Sequence, residues 1–249
     1  MRPPSLPDPG APRALRELNH WLTGRTAAER VAWALAHAPG RHALSSSFGA
    51  QAAVSLHMVT RQAPEVPVLL VDTGYLFPQT HAFIAQMTER LRLNLQVYRP
   101  RPADAWDSEA VARLEAMGVE GLDRYNRVHK VEPMRRGLAE LGVGTWIAGL
   151  RRSQSASRSE LDILQVQDGR WKLHPLADWG DREVWQYLQR HQLPYHPLWH
   201  DGYVSIGDVH STRRLEPGMR EEDTRFFGLK RECGLHVDDG AGSSAEEAA

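Results

Sequence analysis

The chain of 249 residues predicts a doubly wound α/β fold on a mainly parallel sheet, with an irregular C-terminal extension. Three observations carry that prediction. Apolar strand-like runs alternate with helical patterns through the first part of the chain. Strand, loop, helix and strand recur at a spacing that fits right-handed βαβ units. After the fourth strand the alternation stops, and proline, histidine and glycine dominate.

The elements follow in order. "PRALRELNHWL" and "TAAERVAWALAHA" read as amphipathic helices, the second opened by a capping box of Thr26 and Glu29. "RHALSSS" is a short strand running into a polar loop, and "AQAAVSLHMVTRQ" is the next helix. "VPVLLVD" is a buried strand ending at "TGYLFP"; "PQTHAFIAQMTERLRL" is a helix with proline near its start. "NLQVYRP" is a third strand, and "TWIAGL" is a fourth, reached through helical stretches from about Asp104 to Leu141. "LDILQVQDGRWKLHPL" reads as a hairpin turning at its Asp-Gly pair. "DREVWQYLQRHQ" is a helix with Asp181 near its N-cap, and from "LPYHPLWHDGY" onward the chain is an extension lying over the ligand edge of the sheet. One domain is expected over residues 13–236, between flexible tails at 1–12 and 237–249.

Composition narrows the classes of function. Hydrophobic residues make up 41% and charged residues 24%, ordinary for a globular protein with a full core. The formal net charge of −1 gives no global basic field for nucleic acid. The longest apolar run, "VPVLLV", is too short to span a bilayer, and "MRPPSLPDPGAP" lacks the apolar region of a secretory leader. The single cysteine, Cys233, rules out an internal disulfide framework, and the cytoplasm is the expected compartment. Twelve histidines are present without the spacing of a metal site, and none is expected.

Ligand loops in such a sheet lie beyond the carboxyl ends of its strands. The first strand empties into "SSSFGAQ", Ser45 to Gln51, whose hydroxyls and backbone N–H groups before a helix form an anion cradle. The same residues also fit a plain serine N-cap, which is the commoner use of such a loop. The second strand ends at Asp72, Thr73 and Gly74, which fit either ribose or base recognition or a simple capping turn. The fourth ends in "AGLRRSQSASRSE", which carries Arg151, Arg152 and Arg158. A guanidinium fork matches a tetrahedral oxyanion, although a solvated basic loop is the usual reading of such a run. Three strand ends on one sheet edge, each suited to an anionic nucleotide, favour a nucleotide site.

The motifs "SSSFGAQAAVSLH", "DTGYLFPQT", "YNRVHKVEPMRRGL", "TWIAGLRRSQSASR" and "EDTRFFGLKRECGLH" closely resemble, in order, those of thioredoxin-dependent phosphoadenylyl-sulfate reductases. The resemblance runs from about Leu44 to His236. It implies an adenine-nucleotide hydrolase-like fold with a modified pyrophosphatase loop. It implies reduction of 3′-phosphoadenylyl sulfate to sulfite and adenosine 3′,5′-bisphosphate in assimilatory sulfate reduction. It implies Cys233 as nucleophile, supported by His236, within a catalytic segment at about 215–236. It further implies Ser45, Ser46, Ser47, Phe48, Gly49, Gln51, Asp72, Thr73, Gly74, Lys130, Arg151, Arg152, Arg158 and Arg225 as substrate-binding candidates. A homodimer is implied as well. Arg13, Arg16, Lys130 and Arg225 are unranked candidates for the 3′-phosphate.

A sister branch carries a four-iron cluster on two extra cysteine pairs. Their places here read "YNRVHKVEP" and "SIGDVHSTR", with Asp208 and His210 among the expected positions. One thiolate cannot hold such a cluster, so no iron–sulfur cofactor is expected and the resemblance is to the cluster-free branch.

Chemistry sharpens the expectation for Cys233. A free thiol has a pKa of about 8.5; Lys230, Arg231 and His236 would lower it and Glu232 would raise it. Attack on the sulfonate sulfur leaves a cysteine S-sulfonate. With no resolving cysteine in the chain, thioredoxin or glutaredoxin must supply the dithiol that frees sulfite. The alternatives are an ATP pyrophosphatase or transferase of the same fold and a non-catalytic nucleotide sensor. The first usually shows "SGGxDS" in its first loop, and "SSSFGAQ" lacks the double glycine and the aspartate.

Overall fold

The computed structural model describes residues 4–230 and 232–236. Arg231 and the acidic tail at 237–249, both invoked above, lie outside the described residues, as do residues 1–3 of the N-terminal segment. In that segment Leu6 packs on the core and the Pro4 carbonyl accepts from Trp33 Nε1 at 3.4 Å.

Among the described residues, six strands form one sheet: β1 (Arg41–Ser45), β2 (Pro67–Val71), β3 (Asn94–Tyr98), β4 (Val143–Ala148), β5 (Leu164–Gln167) and β6 (Arg170–Leu173). Their order is β3-β2-β1-β4-β6-β5. Every neighbouring pair is parallel except β5 and β6, the expected hairpin. The hairpin turns through Asp168 and Gly169, with φ of 49° and 71°. Two successive positive φ values are the signature of a type I′ turn, which matches the strand twist.

Alternation along each strand feeds two cores. Leu44, Val68, Leu70 and Ile147 face one layer with α1 (Pro12–Thr23), α2 (Ala27–His37), α3 (Ala53–Thr60), α4 (Pro78–Leu91) and α8 (Asp181–Arg190). Their neighbours Ala43, Leu69 and Trp146 face the other, with Met134 and Leu138 of α7 (Glu132–Glu140). Burial on both faces explains why "VPVLLV" is continuously apolar rather than alternating. The capping box of α2 forms: Glu29 N–H donates to Thr26 Oγ1 at 3.3 Å, and Thr26 N–H to Glu29 Oε2 at 2.7 Å. Pro78 is the first residue of α4, where no N–H is needed.

One local expectation changes, and two elements gain detail. α3 begins at Ala53 behind an Ala52 N-cap that makes no side-chain bond, so the serines of the first loop do not cap it. Asp181 is the first residue of α8, next to the Gly180 N-cap as expected, and its carboxylate pairs with Arg151. The helical stretch before β4 divides into α5 (Ser108–Ala112), α6 (Gly118–Asn126), a π-helical turn at Arg127–Val131 and α7. Such a turn is common at functional sites.

Candidate nucleotide and thiol site

A cavity of about 290 Å³ opens at the carboxyl ends of β1, β2 and β4, roofed by the C-terminal extension. Ser45, Ser46, Ser47, Gly49, Gln51, Thr73, Lys130, Arg151, Arg158, Arg225, Cys233 and His236 all line it. Phe48, Asp72, Gly74 and Arg152 stand off its wall. Phe48 is fully buried in the main core, with φ of 50° held by its N–H donating to Ser46 Oγ at 3.1 Å. Asp72 accepts the Gly74 N–H at 3.0 Å and pairs with Arg99 at 2.9 Å, which is the capping-turn use of that residue. Arg152 turns away to donate to the Leu161 carbonyl at 2.9 Å. Arg13 and Arg16 lie on α1 and do not reach the cavity; Arg13 pairs with Glu17.

The cavity is not a patch of unneutralised cations. Among the described residues, four cationic side chains line it, Lys130, Arg151, Arg158 and Arg225, and so do four carboxylates, Asp181, Asp208, Glu221 and Glu232. Arg151 is nearly buried, donating to Gln51 Oε1, to Asp181 Oδ1 at 3.1 Å and to Ser153 Oγ at 3.3 Å. It braces the serine loop against α8. Arg158 is bound to Glu232 by a two-pronged ion pair, at 2.9 Å and 2.7 Å.

Lys130 emerges from the π-helical turn and pairs with Asp208 Oδ2 at 2.7 Å. Its ammonium also lies 4.8 Å from the Phe226 ring centroid. Thr73 Oγ1 donates to the other oxygen of Asp208 at 2.5 Å. Burial pushes the Asp208 carboxyl up, but Lys130 and Thr73 outweigh it and hold it below the usual carboxylate range. Asp208 therefore stays anionic and ties the C-terminal extension to the loop after β2, beside the Leu76–Asp208 bridge. Arg225 lies over the Phe226 ring at 4.9 Å and flush against Gly207, where any Cβ would collide with its guanidinium. Its Nη1 donates to Ser205 Oγ at 3.3 Å.

Cys233 is half-buried on the wall and packs against the apolar cluster that contains Tyr125 and Phe226. Lys230, named above as a thiol neighbour, pairs instead with Asp123. His236 tilts against Trp146 with ring centroids 5.4 Å apart. Lys172 reaches its Nδ1 at 2.8 Å. Burial first, and the Lys172 charge second, keep His236 well below its ordinary pKa, so the ring is neutral. An ammonium can only donate, which assigns the ring proton to Nε2. Trp146 also donates its Nε1–H to Ser45 Oγ at 2.7 Å, so one indole supports both the serine loop and His236.

Lys172, Trp146, Gly207, Ser205 and Asp208 escaped identification from sequence as site residues. Asp208 carried at most a weak signal: a carboxylate inside the otherwise uncharged stretch "SIGD". Lys172 carried a weaker one, because alternation in "RWKL" gives it the face opposite to its apolar neighbours.

The Phosphoadenosine phosphosulfate reductase domain matches residues 41–214. The phosphoadenosine 5′-phosphosulfate reductase of Xanthomonas campestris pv. campestris (strain B100) is 62% identical over 235 residues, covering 94% of this chain and 95% of that protein. The enzyme of the same name from Xylella fastidiosa (strain 9a5c) is 60% identical over 222 residues, covering 89% and 94%. Among solved structures, phosphoadenylyl-sulfate reductase from Candida auris, in a phosphate complex, superposes with a TM-score of 0.70 at 28% identity, covering 84% of this chain and all of that one. FMN adenylyltransferase from Candida glabrata shares the fold at a TM-score of 0.55 and 15% identity, covering 88% of this chain and 82% of that one. A sheet of this order, a serine loop at the end of β1 and identity sustained over nine-tenths of the chain lead to one assignment: the chain belongs to the phosphoadenosine phosphosulfate reductase family.

Proposed function

We propose that this protein is an oxidoreductase that reduces 3′-phosphoadenylyl sulfate to sulfite and adenosine 3′,5′-bisphosphate. The observation that carries the reading is the placement of its thiol. Cys233 lies on the wall of the same cavity as the serine loop, Lys130 and Arg225.

The Cys233 thiolate attacks the sulfonate sulfur; a sulfur–sulfur bond forms as the sulfur–oxygen bond to the phosphate breaks. The nucleotide leaves as the bisphosphate with the electron pair of that bond. Negative charge grows on sulfonyl and phosphoryl oxygens, where Lys130, Arg225, the serine hydroxyls and the Nε2–H of His236 are the groups at hand. Loss of one such donor raises the barrier by roughly 3 kcal/mol. Asp208 holds the Lys130 ammonium on the cavity wall, and Arg151 holds the loop through Gln51. An external dithiol, from thioredoxin or glutaredoxin, then attacks the S-sulfonate, expels sulfite and becomes a disulfide. Two electrons pass from dithiol to substrate. The reaction belongs to assimilatory sulfate reduction, and the working form is a homodimer.

Steady-state assay of sulfite release with thioredoxin tests the reading. Cys233→Ser abolishes turnover while retaining affinity for adenosine 3′,5′-bisphosphate. Undiminished turnover in that variant overturns the mechanism.

A further inference from the structure

We propose that Glu232 is a positioning residue: its carboxylate clamps the segment bearing Cys233 into the arginine loop and so aims the thiol across the cavity. The inference rests on Cys233 being the nucleophile, and it gives Arg158 a role that binding substrate does not require.

The geometry is that of a built carboxylate seat. Glu232 Oε1 accepts from Arg158 Nε at 2.9 Å, Ser157 Oγ at 2.9 Å and Ser155 Oγ at 3.2 Å. Glu232 Oε2 accepts from Arg158 Nη2 at 2.7 Å. The remaining guanidinium nitrogen, Nη1, donates to Gln154 Oε1 at 2.6 Å, and that oxygen also accepts the Arg151 N–H at 3.1 Å. The fork of Arg158 is therefore spent inside the protein, with a planar match to the carboxylate that a lysine could not reproduce. Both side chains are less than a fifth exposed, at 16% and 19%. Burial pushes the Glu232 carboxyl up, but Arg158 and the two serines outweigh it and keep it anionic.

A second anchor sits just beyond the thiol. The Leu235 carbonyl accepts from Gln167 Nε2 at 3.3 Å, and His236 is held between Trp146 and Lys172. Cys233 and Gly234 are thus the two residues between fixed points, and Gly234 takes a φ of 85° that suits a residue without Cβ. A chain pinned on both sides of the nucleophile leaves its sulfur little room to wander. Displacing a reacting atom by about 1 Å can slow a step by roughly a hundredfold. The serine-and-arginine loop, which the sequence suggests is a holder of substrate oxyanion, serves here as the holder of the thiol's own neighbour.

Two readouts on the full chain test the clamp. Alkylation of Cys233 by iodoacetamide needs no substrate and reports freedom of the segment. Single-turnover formation of the S-sulfonate at saturating nucleotide reports the aim. In Glu232→Gln the alkylation quickens several-fold and S-sulfonate formation slows by roughly tenfold or more. Calorimetric affinity for adenosine 3′,5′-bisphosphate is unchanged. The charge-swapped pair Arg158→Glu with Glu232→Arg recovers part of the protection that either single change loses. The milder pair Ser155→Ala and Ser157→Ala moves both rates in the same directions by less, and serves if the Glu232 variants do not fold. Unchanged alkylation overturns the clamp, whatever the chain does to nucleotide. Bisphosphate affinity that falls in step with the rate also overturns it, because Glu232 and Arg158 would then act on the nucleotide. Quickened alkylation in a protein whose parent forms no S-sulfonate leaves the clamp standing and removes the reductase reading instead.

Discussion

Asp208 is a buried carboxylate on the wall of the cavity proposed to take the anionic nucleotide, and its cost is set against its grip on Lys130. The two side chains are only 1% and 9% exposed. Removing one partner of such a pair leaves the other charge stranded, at a cost of roughly 3 kcal/mol or more. Asp208→Asn should destabilise the fold by that order in urea unfolding and weaken nucleotide binding together. Replacing both partners with apolar residues should recover most of the stability and none of the activity. Gly207 makes a finer test. An added methyl meets the Arg225 guanidinium, so Gly207→Ala should move Arg225 and lower kcat/KM while leaving the core intact. An unchanged kcat/KM would show that Arg225 has no part in binding or turnover.

At the scale of elements, local chemistry sets most boundaries. The Thr26–Glu29 box forms where "TAAE" predicts it, and Thr26→Ala should cost about 1 kcal/mol in thermal or denaturant unfolding. The hairpin turns at Asp168–Gly169, as an Asp-Gly pair between apolar runs requires. Both features are legible because each is decided by residues within a few positions of one another. The π-helical turn that presents Lys130 is not legible, since "RVHKV" differs from helical sequence in no local way. What stabilises it is distant: the His129 ring contacts the Thr73 carbonyl at 3.0 Å and accepts the Trp106 N–H at 3.0 Å. The same limit explains the arginine loop. Its three arginines are visible in sequence, but their partners Gln51, Asp181, Leu161 and Glu232 are brought to them only by the fold. Serines 45 to 47 are correctly expected at the cavity, because the ends of parallel strands are determined by topology rather than by contacts.

Across the whole molecule, near-neutral charge is repeated inside the site, where cations and carboxylates are matched. Stability against acid depends instead on buried histidines. His174 is pushed down to about 3, and His196 and His210 to about 4, chiefly by burial; burial also lowers His129 and His236. Unfolded histidines titrate near 6.5, so below that pH the unfolded chain binds protons that the folded chain refuses. Stability should therefore be full above about pH 6.5 and fall as the pH drops toward 4, before the carboxylates titrate. Asp208 and Glu232, both held low, add a further loss at more acidic pH. Denaturant midpoints measured from pH 7.5 to 4.5 check the sign; a flat profile would mean that the histidines are not buried neutral. The chain has no second cysteine, so the chemistry attributed to the fold must stop at a covalent adduct whenever the outside dithiol is withheld. Intact-mass measurement of the protein mixed with 3′-phosphoadenylyl sulfate, without reductant, reads that stop directly. The account predicts one sulfonate added at Cys233, absent in Cys233→Ser and weaker or absent with adenylyl sulfate. Unmodified mass with both nucleotides would contradict it.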